Sequence, residues 1–411
     1  MKKYIIICFI LLGTIGFCKS PVVTPGADRL FSDYFQLIKG KRIGLVTNHS
    51  ALLSNGVHLA DTLNARKDTK ITALFGPEHG IRGDAPDGLS LNNQTDTKTG
   101  LHVFSLYGKV NKPTPEMLKD VDVLVFDIQD IGARFYTFIS TLYYTLQAAA
   151  ENNIPVIVLD RPNPINGLKV DGPIRKDDVS SFVGIAPIPV MHGMTVGELS
   201  EMFAGENMLK TSRRPDLTVV KMKGWKRNSY YDETGLKWLN PSPNMTSLET
   251  AIIYPGACLI EGTNASEGRG TRLPFLTIGA PYIKSSDLIT ELNKSGMPGL
   301  TFSPVSFTPV EIANMVKDPK FNNQNCNGIR ISVTDRSAVK PVEMGIKLVC
   351  ALQKLYPNDF KINSGRFDRL SGDSSIKDKI LQGTKPAKII SGWARELKGF
   401  LTIRKKYLLY K

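Results

Sequence analysis

The sequence has 411 residues, of which 42% are hydrophobic and 22% charged, and its formal net charge is +14. The hydrophobic fraction is that of a globular protein and excludes a largely disordered chain. The length exceeds what one core usually supports, so we expect two domains. A basic charge suggests anionic partners, but the Lys and Arg residues are scattered, without the basic arm or stripe typical of nucleic-acid binding. We therefore expect no nucleic-acid partner.

The first 20 residues are predicted to be a signal peptide. Lys2 and Lys3 form a basic start, and residues 4–12 are an apolar run too short for a transmembrane helix. No later stretch has the length and apolarity of a membrane helix, so we expect an exported protein, either periplasmic or secreted. Cys18 raises the alternative of a lipid anchor, but Phe17 is a poor match to the small residue usual at that position, and simple cleavage is favoured.

The first half of the mature chain alternates apolar strands with helices. Strands are predicted at 42–47, 71–75, 101–106, 121–127 and 155–160, and helices at 30–39, 57–67 and 136–152. Thr114 with Pro115 marks one helix start, and Thr195 with Glu198 forms a predicted capping box that opens another. Near-continuous apolar strands are typical of a parallel sheet covered on both faces. We predict a Rossmann-like α/β domain over residues 21–255.

The second half begins in a predicted boundary region between residues 247 and 261. It contains a strand–helix–turn at 281–300, an extended piece at 302–309, a strand at 328–333, and helices at 342–354, 377–382 and 387–398. This pattern predicts a smaller α/β domain over residues 256–411.

Polar residues follow the predicted parallel strands, whose carboxyl ends should form one ligand-binding edge. These residues are Asn48, Glu78, His79, Tyr107, Asp127, Gln129, Asp160 and Arg161. The densest group is Glu78, His79 and Arg82, which lies directly after Gly76 and Pro77 on a loop shaped by glycines and prolines. A second glycine-rich loop carries Glu261, Glu267, Arg269 and Arg272.

Cofactor and metal motifs are missing from the sequence. It has no G-x-G-x-x-G after a strand, no P-loop and no G-x-S-x-G, so we expect no nucleotide cofactor. The five histidines include no H-E-x-x-H pair, and Cys258, Cys326 and Cys350 lack ligand spacing. We expect no metal and interpret the three cysteines as core residues.

Glycoside hydrolysis fits the loop carboxylates better, because it needs one carboxylic acid and often a second carboxylate. Glu78 is favoured as catalytic. For Asp127 a structural role is favoured, and for Asp160 beside Arg161 both an ion pair and a catalytic role remain open. The arginines near polar loops, Arg82, Arg134, Arg161, Arg269 and Arg272, include candidates for holding an anionic substrate group.

Several long motifs resemble the exo-β-N-acetylmuramidase NamZ-like family, formerly a domain of unknown function. The similarity extends from about residue 41 to residues 407–410. It rests on Phe75-Gly76-Pro77-Glu78-His79-Gly80, Val125-Phe126-Asp127-Ile128-Gln129-Asp130-Ile131-Gly132-Ala133-Arg134-Phe135-Tyr136, Leu159-Asp160-Arg161-Pro162-Asn163-Pro164, Pro189-Val190-Met191-His192-Gly193-Met194-Thr195, and Glu261-Gly262-Thr263-Asn264-Ala265-Ser266-Glu267-Gly268-Arg269-Gly270-Thr271.

The resemblance implies an active-site cleft between the two domains and the release of N-acetylmuramic acid from the non-reducing end of peptidoglycan fragments. Muramic acid–glucosamine saccharides would then be the partners. Glu78, in the Pro-Glu-His motif, would be the general acid/base. Beside it we expect His79, the other predicted catalytic residue, and Arg82 to orient its carboxylate. Further substrate-binding residues are expected on both walls: Asn48, Asp127, Gln129, Arg134, Asp160, Arg161, His192, Asn244, Glu261, Glu267 and Arg269.

Two other functions stay open at this point. A non-catalytic cell-wall sugar-binding protein would have the same fold and bind sugar without making product. A metal-dependent hydrolase or esterase would lose its activity to a chelator.

Overall fold

The computed structural model of the protein describes residues 23–83, 85–86, 88 and 94–411. The predicted leader and Cys18 lie outside these residues. Within the described ranges, no helix is both long and apolar enough to cross a membrane.

The strands and helices follow one another along the whole described chain. The strands are β1 (Arg42–Thr47), β2 (Lys70–Gly76), β3 (Gln94–Thr95), β4 (His102–Ser105), β5 (Val123–Asp127), β6 (Val156–Leu159), β7 (Leu217–Val220), β8 (Thr277–Ala280), β9 (Leu300–Phe307) and β10 (Cys326–Val333). The helices are α1 (Gly26–Ser32), α2 (Leu59–Asn64), α3 (Pro115–Leu118), α4 (Phe138–Asn152), α5 (Val196–Gly205), α6 (Leu248–Ala257), α7 (Ser285–Lys294), α8 (Pro341–Leu355), α9 (Ser364–Ser371), α10 (Ser374–Leu381), α11 (Pro386–Ser391) and α12 (Ala394–Arg404).

The first sheet has seven strands in the order β3-β4-β2-β1-β5-β6-β7. All neighbouring strands are parallel except β3 and β4, which pair antiparallel. This confirms the predicted parallel sheet, and β1 has the predicted bounds. The carboxyl ends of the parallel strands therefore lie along one edge.

Both faces of this sheet are buried, which explains why its strands are apolar throughout. Leu45 and Val125 face one side and pack with α1 and α2. Val46 and Phe126 face the other side and pack with α4 and α5. Successive side chains of a strand point to opposite faces, so both sets must be apolar when helices cover both faces.

The cap signals predicted from the sequence are present in the structure. Thr114 accepts a hydrogen bond from the Met117 N–H at the start of α3, and Pro115 takes the first helical position. Thr195 and Glu198 form the capping box of α5. Each pair satisfies backbone N–H groups that a helix leaves without an internal acceptor.

Several predicted helix bounds were wrong. The helix predicted at 30–39 is replaced by α1, which begins earlier at Gly26 and ends at Ser32, and by a short 3-10 turn at Phe35–Leu37. Gly26 allows the start of α1 to pack closely, because a Cβ there would lie 2.5 Å from the Asp160 nitrogen. The helix predicted at 387–398 is divided into α11 and α12 around Gly392. Helix α9 was not predicted, although Asn363 caps its start and Gly372 ends it at φ 81°.

The second sheet has three strands in the order β8-β10-β9, all antiparallel. Helices α6 and α8 cross beside it at Gly256 and Gly345. A Cβ on Gly256 would lie 1.7 Å from the Pro341 carbonyl oxygen, and one on Gly345 would lie 2.4 Å from the Gly256 carbonyl oxygen. Only glycine allows this approach.

One hydrophobic cluster includes residues of both sheets, for example Phe126 of the first and Ile329 of the second. The predicted domain boundary after residue 255 falls inside α6. Two sheets are therefore present, and they share one continuous core.

The C-terminal tail returns to the first sheet and covers the end of β6. The Tyr410 hydroxyl donates a hydrogen bond of 2.5 Å to Oδ2 of the buried Asp160 and accepts one from the Met222 N–H. The Leu409 N–H donates to Glu198, whose carboxylate also pairs with a buried arginine. The last residues of the chain thus satisfy polar groups buried in the first half.

We expect Tyr410→Phe to lower the free energy of unfolding by about 1.5–3 kcal/mol, because the Asp160 carboxylate and the Met222 N–H both lose their partner. Urea denaturation measures this change. Tyr407→Phe is the matched control: its hydroxyl bonds Glu206, which also pairs with Lys406 and is accessible to solvent. The control should cost less than about 1 kcal/mol. Equal costs in the two variants would contradict the role given to Tyr410.

Candidate active site

A cavity of about 440 Å³ opens between the loop after β2, the start of α4, the two loops at 261–275 and 316–320, and α9. Its polar lining includes five of the predicted site residues, namely Glu78, His79, Glu261, Glu267 and Arg269. Apolar groups such as Phe135 and Phe275 fill the space between them. The cavity therefore brings the two predicted loops together across a cleft.

Glu78 is held on the wall formed by the first half. Its Oε1 accepts a hydrogen bond of 3.1 Å from the Gly88 N–H, and its Oε2 accepts one of 2.7 Å from the Thr137 hydroxyl, directly before α4. The side chain is half-buried. Two donors on two segments fix the carboxylate while leaving it accessible from the cavity.

The loop that carries Glu78 has an unusual backbone. His79 and Gly80 adopt φ values of 70° and 74°, and the Gly80 N–H donates to the Pro77 carbonyl. A positive φ is uncommon for a residue other than glycine and stores strain that the surrounding structure must hold. This turn places Glu78 and His79 on the same cavity.

His79 is buried, and its Nδ1 lies 2.9 Å from the Ala85 carbonyl oxygen. Because a carbonyl can only accept, Nδ1 carries the hydrogen, and Nε2 is the basic nitrogen of the neutral ring. Burial lowers the pKa of His79, and the charge of Glu78 partly opposes that effect. The imidazole is therefore neutral beside the carboxylate.

Tyr107 follows β4, the strand next to β2, and its hydroxyl hydrogen-bonds Glu78. Burial raises the pKa of Tyr107, and the Glu78 charge raises it further. The phenol is protonated and donates to the carboxylate.

The opposite wall consists of buried ion pairs. Arg269 donates to Glu261 Oε1 at 2.8 Å and lies 3.5 Å from Glu267 Oε1. Its guanidinium also lies over the Phe275 ring, 5.1 Å from the centroid. Burial raises the pKa of Glu261 and lowers that of Arg269 to about 10.

Two further cations complete this wall. Lys320 Nζ lies 3.0 Å from Glu267 Oε2 and donates to the carbonyls of Ile260 and Ala265. Arg366, from the first turn of α9, pairs with Glu261 Oε2. The cavity therefore has a carboxylate with its hydrogen-bond donors on one side and a cationic network on the other.

Arg82 does not orient Glu78, which corrects the sequence-based expectation. Its guanidinium bonds both oxygens of Asp96, at 2.8 and 2.7 Å, and Asp61 Oδ1 at 2.7 Å. Asp61 belongs to α2, and Asp96 follows β3. Arg82 thus connects the loop after β2 to α2 and to the segment after β3.

The strand-end residues beyond β2 and β4 are engaged within the fold. Asp127 and Arg161 form a buried pair, with Oδ2–Nη2 at 2.9 Å, so the structural role expected for Asp127 agrees with its contacts. Asp160 accepts from Tyr410, from the Thr195 hydroxyl and from backbone N–H groups. Burial raises the pKa of Asp160 to about 7, and the bond from Tyr410 opposes this.

Arg134 is fully buried and donates to four carbonyls, those of Pro173 and Ile188 through Nη1 and those of Leu370 and Ser371 through Nη2. Burial lowers its pKa to about 9. It therefore caps the end of α9 and, among the described residues, is not part of the cavity lining where a substrate-binding residue was expected.

The remaining predicted residues also hold the backbone. Asn48 accepts from Ser50, and Gln129 donates to the Pro162 carbonyl. His192 accepts from the Met194 N–H, and its Nε2 lies 3.6 Å from an Asp130 oxygen. Asn244 donates to the Met315 carbonyl. None of these four is among the described residues that line the cavity, although Asn244 lies between Ser242 and Met245, which do.

Sequence reasoning missed Thr137, Tyr107, Lys320 and Arg366 as site residues. Two of these residues could have been found from the sequence. Thr137 directly follows the family motif that ends at Tyr136, and Tyr107 was predicted to lie at the end of a strand, on the ligand-binding edge. Lys320 and Arg366 lie in stretches without a motif, and only the folded chain brings them to the cavity.

Among the residues that the structure describes, no group of three His, Cys, Asp or Glu side chains could hold a metal ion. Cys258, Cys326 and Cys350 are free thiols, and the first two are buried. The cavity lining combines a carboxylate and an imidazole, groups that can transfer protons, with cations on the opposite wall.

Comparisons with known proteins agree with this arrangement. The family descriptions "Exo-beta-N-acetylmuramidase NamZ, N-terminal" and "C-terminal" match residues 43–249 and 252–410. The chain is 48% identical to the peptidoglycan β-N-acetylmuramidase NamZ of Bacillus subtilis (strain 168), over 95% of this chain and 92% of that one.

Two crystal structures of DUF1343 family proteins from Bacteroides fragilis have the same fold. One is 36% identical with a TM-score of 0.87, and the other is 34% identical with a TM-score of 0.76. Each comparison covers 95% of this chain and 99% of the other. They confirm the predicted α/β fold.

We expect the His79 imidazole to titrate below the ordinary histidine value of 6.5. NMR measures this pKa, with His79→Gln used to assign the signal. Because Glu78 opposes the effect of burial, Glu78→Gln should lower the pKa further. A pKa above 6.5, or a rise in the Glu78→Gln variant, would contradict the environment described. Because the pKa of His79 is lower in the folded state than in the unfolded state, the stability that His79 contributes is present above pH 6.5. It is lost as the pH falls through the folded-state pKa.

Proposed function

Because the chain belongs to the exo-β-N-acetylmuramidase NamZ family, we propose that it is an exo-acting glycoside hydrolase that releases N-acetylmuramic acid. The substrates would be peptidoglycan fragments, cut at the non-reducing end during cell-wall turnover or recycling. The B. subtilis relative, which covers nearly the whole chain, is named for this activity.

The observation that carries the proposal is the fixed position of Glu78. Its carboxylate faces the cavity and is held by Thr137 and Gly88. The next residue, His79, also lines the cavity. Glycosidic bond cleavage requires such a group to protonate the leaving oxygen and then to activate water. We assign this general acid/base role to Glu78.

The reaction does not require a second protein carboxylate as nucleophile. In the first step the acetamido oxygen of the substrate can bond to the anomeric carbon while the glycosidic bond breaks and Glu78 gives its proton to the leaving oxygen; in the second step Glu78 takes a proton from the water that displaces the acetamido oxygen. Glu261 and Glu267 are each paired with two cations. The 2-acetamido group of the substrate is an internal nucleophile of the kind used by substrate-assisted glycosidases. In this mechanism Glu78 is the acid/base, His79 supports it, and Glu261, Glu267 and Arg269 shape the opposite wall for the sugar.

We also propose that the protein is exported to the periplasm or secreted, on the basis of the basic and apolar leader. The lipid anchor at Cys18 is the alternative to simple cleavage. Fractionation of cells that make the full chain, with Cys18→Ser as the comparison, tests both. Membrane association that the Cys18→Ser variant loses would favour the anchor.

Glu78→Gln should lower kcat by about 10²–10⁴-fold, because the amide cannot transfer the proton. The measurement is the release of free N-acetylmuramic acid from the muramic acid–glucosamine disaccharide. Sugar binding should persist, since the substitution keeps the size of the side chain.

Asp318→Asn is the matched control, since Asp318 also lines the cavity, is exposed, and has a φ of 50° that asparagine tolerates. Its rate should stay within about threefold of the wild type. Near-normal turnover by the Glu78→Gln variant would remove Glu78 from its role. A folded wild-type protein that binds sugar without product would favour the sugar-binding function, and loss of activity with a chelator would favour a metal-dependent hydrolase.

A further inference from the structure

The cavity wall opposite Glu78 has one positive charge in excess. Three cations, Arg269, Lys320 and Arg366, face two carboxylates, Glu261 and Glu267. The exposed Lys317 and Asp318 of the lining offset each other, and Glu78 lies across the cavity, so the excess positive charge is confined to this wall, where it favours an anionic group of a ligand.

Two of these cations are committed to the protein. Lys320 contacts the carbonyls of Ile260, Glu261 and Ala265 as well as Glu267, which occupies the donors of its ammonium group. Arg269 spans Glu261 and Glu267 and stacks on Phe275. Both brace the wall.

Arg366 is different. Its side chain is 55% exposed, whereas that of Arg269 is 18% exposed. One terminal nitrogen, Nη2, pairs with Glu261. Within the described residues, Nε and Nη1 make no hydrogen bond. The guanidinium therefore presents donors to the cavity while Glu261 holds it in place.

The backbone that carries Arg366 is rigid. Asn363 caps the first turn of α9 by accepting from the Arg366 N–H, and Arg134 binds the carbonyls of Leu370 and Ser371 at the other end. A helix fixed at both ends loses little further entropy when its side chain binds a ligand.

Arg366 also lies close to the proposed acid/base. The Tyr107 hydroxyl bonds Glu78, and the charge of Arg366 acts on the same hydroxyl against that of Glu78. In muramic acid the lactyl ether is on C3, two ring carbons from the anomeric carbon. The carboxylate of that group and the anomeric oxygen are therefore only a few bonds apart, and Arg366 and Glu78 line the same cavity.

We propose that Arg366 binds the lactyl carboxylate of the muramic acid residue and thereby selects this sugar over N-acetylglucosamine, which lacks the lactyl group. This inference rests on the proposed function and deepens it. The planar fork of arginine matches a carboxylate, and Arg366 is a specificity-determining residue of the cavity.

Calorimetric titration with N-acetylmuramic acid and with N-acetylglucosamine tests the proposal without relying on turnover. The wild type should bind the muramic sugar more tightly, and Arg366→Gln should reduce the ratio of the two dissociation constants by about 10- to 100-fold. Arg366→Lys keeps a charge beside Glu261, so its ratio of dissociation constants should lie between those of the wild type and of Arg366→Gln. This variant also controls for an effect of Arg366→Gln on folding. The methyl ester of N-acetylmuramic acid should bind the wild type no better than it binds the Arg366→Gln variant.

Lys317→Gln is the matched control, because Lys317 is another exposed cation of the cavity lining. Its ratio should stay within about threefold of the wild type. A ratio retained in the Arg366→Gln variant, or lost in the Lys317→Gln variant instead, would overturn the proposal, as would a wild type without preference. Selective binding through Arg366 without hydrolysis would refute the proposed function alone, and hydrolysis with an unchanged ratio would refute this inference alone.

Discussion

The geometry of the cleft depends on the hydrogen bonds that the buried guanidinium of Arg134 donates. It comes from the segment between β5 and α4, the same segment that supplies Thr137 to Glu78, and it reaches the last carbonyls of α9. Four carbonyls take up its donors, so its desolvation is compensated by hydrogen bonds rather than by a counter-ion. Arg134 thereby connects the segment that supplies Thr137 to the end of α9, the helix that carries Arg366.

The carboxylates of the two walls are stabilised by different kinds of group. Glu78 is held by neutral donors, the Gly88 N–H and the hydroxyls of Thr137 and Tyr107, so it keeps access to the cavity. The opposite carboxylates are buried and would be costly without Arg269, Lys320 and Arg366 beside them. A carboxylate held by neutral donors and a wall of ion-paired carboxylates thus face the same cavity.

The sequence was sufficient for the parallel sheet, because strands buried on both faces must be apolar throughout, and for the helix starts, because caps depend on local residues such as Thr114 and Thr195. The sequence also predicted Glu78, His79 and the loop at Glu261 as parts of the site, and all three line the cavity. It could not show which strand ends are open to a ligand. Asp160 is covered by Tyr410, 250 residues further along the chain, and Arg134 finds its acceptors in α9 more than 230 residues away. Such contacts leave no local pattern, and Arg366 was missed for the same reason.

The crossing of α6 and α8 at Gly256 and Gly345 has a consequence for the history of the chain. A methyl group at either position would meet backbone rather than a movable side chain, so the two helices can change only together. Both glycines lie in the part of the chain that matches the C-terminal family description, residues 252–410. A second half exchanged from that point would carry the whole crossing with it, whereas an exchange that begins after Gly256 would separate the two glycines and bring together helices that no longer fit.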